Sequence, residues 1–155
     1  MRKMAMTAAA IAAMLCAGAA AAQTAKWRVL LGIPTVAVFA TEAKGPMDQR
    51  TLSTFMMLPR VVGGIDSSTG DWTIDCKAKT ALDHGGNAFL GTKDVGTLPS
   101  TTPDGPTSYL PDDESVAVLK LVAGYACEGT RYSEDNTVLA DDAAARAYGN
   151  KLFGR

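Results

Sequence analysis

The sequence predicts an α+β fold: an antiparallel sheet of about five or six strands, then one C-terminal helix tied to it by a disulfide, then a short tail helix. Three observations lead there. Short segments rich in β-branched and aromatic residues are separated by Gly and Pro turns over residues 27–91. An apolar run of helical period covers residues 116–126. Cys76 and Cys127 are the two cysteines left once an export signal is removed.

The signal comes first in the chain. Arg2 and Lys3 form a positive start, residues 8–22 are apolar and alanine-rich, and Ala20-Ala21-Ala22 supplies small residues before Gln23. The apolar run is shorter than the roughly 20 residues of a membrane span, so removal near Ala22 is expected and the mature chain holds no spanning segment. Cys16 follows Leu15, where a lipobox needs a small residue, so it is expected to leave with the signal. Without Arg2 and Lys3, 13 basic residues remain against 16 acidic ones, a formal charge of −3. That balance points to neither nucleic acid nor an anionic membrane as partner.

Residues 27–31, 35–41 and 50–58 read as the first three strands, with Gly32-Ile33-Pro34 and Lys44-Gly45-Pro46 as turns and Pro59 as the stop. Residues 72–79 give the clearest alternation: Trp72, Ile74, Cys76 and Ala78 on one face, Thr73, Asp75, Lys77 and Lys79 on the other. Val61-Val62 and residues 87–91 are weaker strand candidates. Gly63-Gly64 and Gly85-Gly86 read as hairpin turns, and residues 64–71 as a polar turn. Residues 91–111, with Pro99, Pro103, Pro106 and Pro111, read as a loop crossing to the helix.

Asp112 or Asp113 is placed to cap that helix and Glu114 suits its positive end. Val116, Leu119, Ala123 and Cys127 fall on one stripe, which brings Cys127 to the side that faces the sheet, where Cys76 points. A loop of this length corresponds to roughly 4 kcal/mol in the chain-entropy model. Val118, Leu121, Val122 and Tyr125 make a second apolar stripe. Either the tail covers it, through a helix over residues 143–153 capped by Asp141 or Asp142, or it is a contact face for a protein partner or a second copy of the chain.

The Trp27 strand start, the run Trp72-Thr73-Ile74-Asp75-Cys76, and residues 111–127 with Ser115, Leu119 and Val122 before Cys127 together resemble the surface-adhesin protein E family, small exported bacterial domains. The likeness covers roughly residues 26–127. It implies a curved antiparallel sheet of about six strands with the helix disulfide-tethered to it, adhesion to host matrix proteins, and dimerisation. Phe39-Ala40-Thr41 lacks the family's Tyr-x-Asp strand ending, and the chain continues past Cys127 to Arg155. The expected organisation is a signal peptide over 1–22, a protein E-like domain over 23–127 and a partly helical extension over 128–155.

Catalytic groups are sparse. His84 is the single histidine and reads as a turn residue in Asp83-His84-Gly85-Gly86-Asn87. A triad would need Asp83, His84 and a distant serine, and no spacing supports it. Asp66 and Asp71 lack EF-hand spacing. Met56-Met57 reads as core filling. The expectation is a non-catalytic exported binding module of the cell envelope, adhesin-like, with a protein partner and neither metal nor cofactor. The alternative is a periplasmic accessory subunit or inhibitor within a larger envelope assembly.

Overall fold

The computed structural model describes residues 26–111 and 114–155. The segment read as an export signal, Cys16, and the cap candidates Asp112 and Asp113 lie outside the described residues. The strands are β1 (Trp27–Ile33), β2 (Val36–Ala40), β3 (Arg50–Val62), β4 (Ile65–Asp75), β5 (Thr80–Asp83), β6 (Gly86–Leu90), β7 (Lys93–Leu98), β8 (Thr107–Ser108) and β9 (Val138–Leu139). The helices are α1 (Ala117–Glu128), preceded by a 3-10 turn at Glu114–Val116, and α2 (Asp142–Leu152). Among the described residues all nine strands join one antiparallel sheet, in the order β7-β6-β4-β3-β2-β1-β9, with β5 against β4 and β8 against β5. The expected architecture is there, with more strands than the five or six read from the sequence.

The extra strands come from segments whose composition hides them. Of residues 64–71 only Gly64 belongs to a turn: residues 65–71 lie within β4, paired to β3 on one side and, at Ser67 and Ser68, to β6 on the other. The buried Ser67 is tolerated because its Oγ finds partners: it donates to Asp66 Oδ1 and accepts from Arg146 Nη1 at 2.8 Å. β3 does not stop at Pro59. Met57 pairs with Ser67 and Val62 with Ile65, so residues 58–61 stand opposite Asp66 alone. This large bulge absorbs the missing N–H of Pro59, and Arg155 Nη2 donates to the Leu58 carbonyl it leaves free. Within residues 91–111, β7 ends just before Pro99 and β8 lies between Pro106 and Pro111, so neither crosses a proline.

Strand β4 ends at Asp75, earlier than the alternation suggests, because the Asp75 carboxylate accepts from the N–H groups of Lys77 and Ala78 and Lys79 takes φ 60°. Cys76 remains inward and buried, and it bonds Cys127 with Cα atoms 5.6 Å apart. Such a bond suits an oxidising compartment. Gly85-Gly86 is likewise no hairpin turn. Asp71 faces both His84, whose N–H it accepts, and Gly85, whose carbonyl it bonds, so β5 and β6 are two halves of one strand broken by a bulge. At Gly86 a Cβ would lie 1.8 Å from the Thr69 carbonyl oxygen, which leaves room for glycine alone.

Each face of the sheet carries its own apolar core. Leu30, Val38, Leu52, Trp72, Ile74 and Ala81 pack with α1 on one face. Trp27, Val29, Ala37, Phe39, Phe55 and Met57 form the other, with Leu139, Ala145, Tyr148 and Leu152. Alternation along β2 and β3 divides these sets; Met57 is buried and its neighbour Met56 packs on the opposite face, so both fill core.

The tail therefore covers the far face of the sheet, not the outer stripe of α1. Of the two expected candidates Asp141 caps α2, by accepting from Ala144 N, and the other, Asp142, accepts through Oδ1 from the Trp27 indole at 2.8 Å. Phe39 and Phe55 stack at 5.8 Å, Tyr148 meets Phe39 edge-on, and the Arg146 guanidinium lies 4.9 Å from Phe55 and 5.3 Å from Phe89. Burial pushes the Arg146 pKa down, while Asp66 and Asp142 oppose the shift. Gly149 sits against Met57, where a Cβ would come within 2.6 Å of its sulfur.

The second stripe of α1 has the same fate. Leu121, Val122 and Tyr125 are buried with the sheet-facing set, and only Val118 is exposed. The reason is width: residues of β1 through β5 all reach this core, so a single sheet meets the helix on both flanks. Of the proposed contact face at Val118, Leu121, Val122 and Tyr125, the last three are thus occupied by the chain itself and Val118 alone stays open. Gly129, in the left-handed region at φ 70°, ends α1 with its N–H bonded to the Tyr125 carbonyl.

The disulfide closes a loop of sequence separation 51 across this core. The double variant Cys76→Ala/Cys127→Ala is expected to lose up to about 4 kcal/mol of unfolding free energy, read as a lower urea midpoint. A midpoint equal to wild type would show that the tether adds nothing to the packing of α1.

Candidate functional site

Along the face covered by α2, the chemistry of each strand changes within two residues. On β2, Phe39 is followed two positions on by Thr41; on β3, Phe55 is preceded by Ser53 and Thr51; on β4 the same side carries Asp71 and Thr73. The apolar half lies beneath α2. The hydroxyl-bearing half is open, and it forms a trough of about 770 Å³.

Cross-strand register builds the floor of this trough. Thr41 N donates to the Ser53 carbonyl and Thr41 Oγ1 accepts from Ser53 N at 2.9 Å. Ser53 pairs with Asp71, and the β5–β6 bulge sets His84 beside Asp71. Thr41, Ser53, Asp71 and His84 therefore form one row across four strand segments. A second row runs from Lys44 through Thr51 and Thr73 to Leu82. Lys26 and Glu42 complete the wall. A smaller hollow of about 410 Å³ continues past Thr73 to Asp75, Thr80 and Leu82; at its edge, a hydrogen bond from the exposed Lys77 holds the Asp48 carboxyl below its usual range.

Side-chain hydrogen bonds hold the polar groups in place. Ser53 Oγ donates to Asp71 Oδ1 at 2.5 Å, and His84 Nε2 shares a 2.8 Å bond with Thr73 Oγ1. A serine nucleophile needs an imidazole to take its proton, yet here the hydroxyl bonds the carboxylate directly and the imidazole is engaged by a threonine. Asp83 plays no part in the trough. It is buried, its Oδ1 accepts from Gly85 N, and its Oδ2 accepts from both the N–H and the hydroxyl of Thr101 at 2.7 Å. It secures the bulge and the following loop. Among the described residues no three His, Cys, Asp or Glu side chains gather as metal ligands would; Asp66 accepts from Gly91 N and Ser67 Oγ instead.

The arrangement offers hydroxyl donors and acceptors at fixed spacing, two ammonium groups, one carboxylate wall residue and an exposed imidazole. That set suits recognition of a polar, hydrogen-bonding surface. The sequence singled out His84 and Asp71 but separated them, one as a turn residue and one as the end of a polar turn. The alternation Thr51-x-Ser53-x-Phe55 carried the missing signal: a strand face that is polar at one end and aromatic at the other.

No family model matches the chain, and no curated protein or solved structure matches it either.

Asp83→Ala strands the buried N–H of Gly85 and removes the acceptor of the half-buried Thr101 bonds, and is expected to cost about 3 kcal/mol. Asp71→Ala, at the exposed trough, is expected to cost less than about 1 kcal/mol. Equal losses in chemical denaturation would contradict these separate roles.

Proposed function

We propose that this protein is an exported, non-catalytic binding module of the cell envelope, and that its recognition surface is the open hydroxyl-lined half of the sheet. The observation that carries the reading is the switch from an aromatic face sealed by α2 to a polar face left open on the same strands. A folding requirement alone does not call for the Thr41-Ser53-Asp71-His84 row, since each of these groups would be equally well solvated elsewhere. Export rests on the signal pattern of residues 1–22, supported by the disulfide.

The likeness to the surface-adhesin protein E family adds a second strand of support, because the family's helix is tethered to its sheet in the manner of Cys127 and Cys76. Adhesion to another protein is the corresponding role. The alternative of an accessory subunit or inhibitor drew on the doubly apolar helix and on the tail, and both are used inside this fold. A dimer through that helix loses its motive for the same reason.

A photo-crosslinking side chain at Thr51, within the trough, is expected to give a discrete adduct in intact envelopes, abolished when Ser53→Arg fills the trough. The same group at Val118, on the exposed side of α1, is expected to give none. Adducts from Val118 with none from Thr51 would contradict the assignment.

A further inference from the structure

At the end of the strands away from the trough, the turns β1–β2, β3–β4 and β6–β7 emerge side by side with the C-terminus of α2, since Tyr148 and Leu152 lie beside Gly32 and Arg155 bonds Leu58. Four large apolar side chains are exposed on these turns: Ile33, Val61, Val62 and Leu90, with Val62 at 58 %. Such residues at strand ends gain nothing from water. The β3–β4 turn itself is Gly63-Gly64, both at positive φ with open space around them, so it projects as a thin tip.

Charge at this rim departs from the chain as a whole. Arg60, Lys93, Lys151 and Arg155 are all exposed here. Two acids lie nearby, each accepting from a backbone N–H, Asp66 from Gly91 N and Asp94 from Gly96 N, so the four cations outnumber these carboxylates. The mature chain is acidic, yet this rim of protruding apolar tips carries an excess of cations over carboxylates.

We propose that this rim docks peripherally on an anionic phospholipid surface, with the tips of the β1–β2, β3–β4 and β6–β7 turns in the headgroup region and the basic side chains on lipid phosphates. Separate protruding tips fit a deformable interface better than a rigid complementary partner, and cations around apolar tips match anionic headgroups. Among the described residues no helix is long and apolar enough to cross a membrane. Docked in this way, the protein holds its trough away from the bilayer.

The test is co-sedimentation of the mature protein with vesicles of phosphatidylcholine alone and of phosphatidylcholine mixed equally with phosphatidylglycerol. Binding to the mixed vesicles is expected, falling about tenfold or more in Val61→Asp/Val62→Asp and in Arg60→Glu/Lys93→Glu. Both variants change exposed positions and are expected to keep the wild-type melting temperature. Absence of binding to mixed vesicles overturns the proposal, as does equal binding to both vesicle types. A concentration-dependent dimer lost in Val61→Asp/Val62→Asp, without vesicle binding, would assign the rim to a second copy of the chain instead.

Discussion

A sheet that is apolar on both faces must be covered twice, and this constraint organises the whole molecule. Alternation along β2 sends Ala37 and Phe39 one way and Val38 and Ala40 the other. Neither set can face water without losing roughly 25 cal/mol for every Å² of apolar area left exposed. One helix is needed on each side. The chain supplies α1 from within the disulfide loop and α2 from its tail, with β9 pairing to β1 to lead α2 onto its face.

The two covers are held by different means. α1 is mostly apolar, sinks into a wide surface spanning five strands, and is stapled at its last turn by Cys127. α2 is amphipathic and depends on particular contacts: the Asp141 cap, the Trp27–Asp142 hydrogen bond, Arg146 between Phe55 and Phe89, and close approach at Gly149. Because α2 is short, its cover stops before the ends of β2, β3 and β4. The strands there carry Thr, Ser, Asp and His in place of aromatics, and the trough is the surface that results.

Much of this was legible in the sequence. The signal pattern, the Cys76–Cys127 pairing, the inward stripe of α1 and the Asp141 cap each follow from local chemistry, and the structure bears out the last three. What escaped were features set by long-range register. The polar run at residues 66–71 looks like a turn until both its edges are seen to be paired. The bulge at His84 and Gly85 depends on Asp71, a residue on another strand. The destination of the tail was invisible because an apolar stripe states that a cover is needed without stating which surface provides it. Leu121, Val122 and Tyr125 illustrate the point: their stripe was read correctly as apolar and assigned to the wrong neighbour.

The claim that α2 is an integral cover of the second core is tested most directly by a chain ending at Ser133, compared with the chain that runs to Arg155 by near-ultraviolet circular dichroism and by binding of an apolar-surface dye. The structure predicts that the truncated chain binds the dye and loses its aromatic signal as Trp27, Phe39 and Phe55 are uncovered, while the Cys76–Cys127 bond still forms. An unchanged spectrum and melting temperature, with no dye bound, would contradict the account.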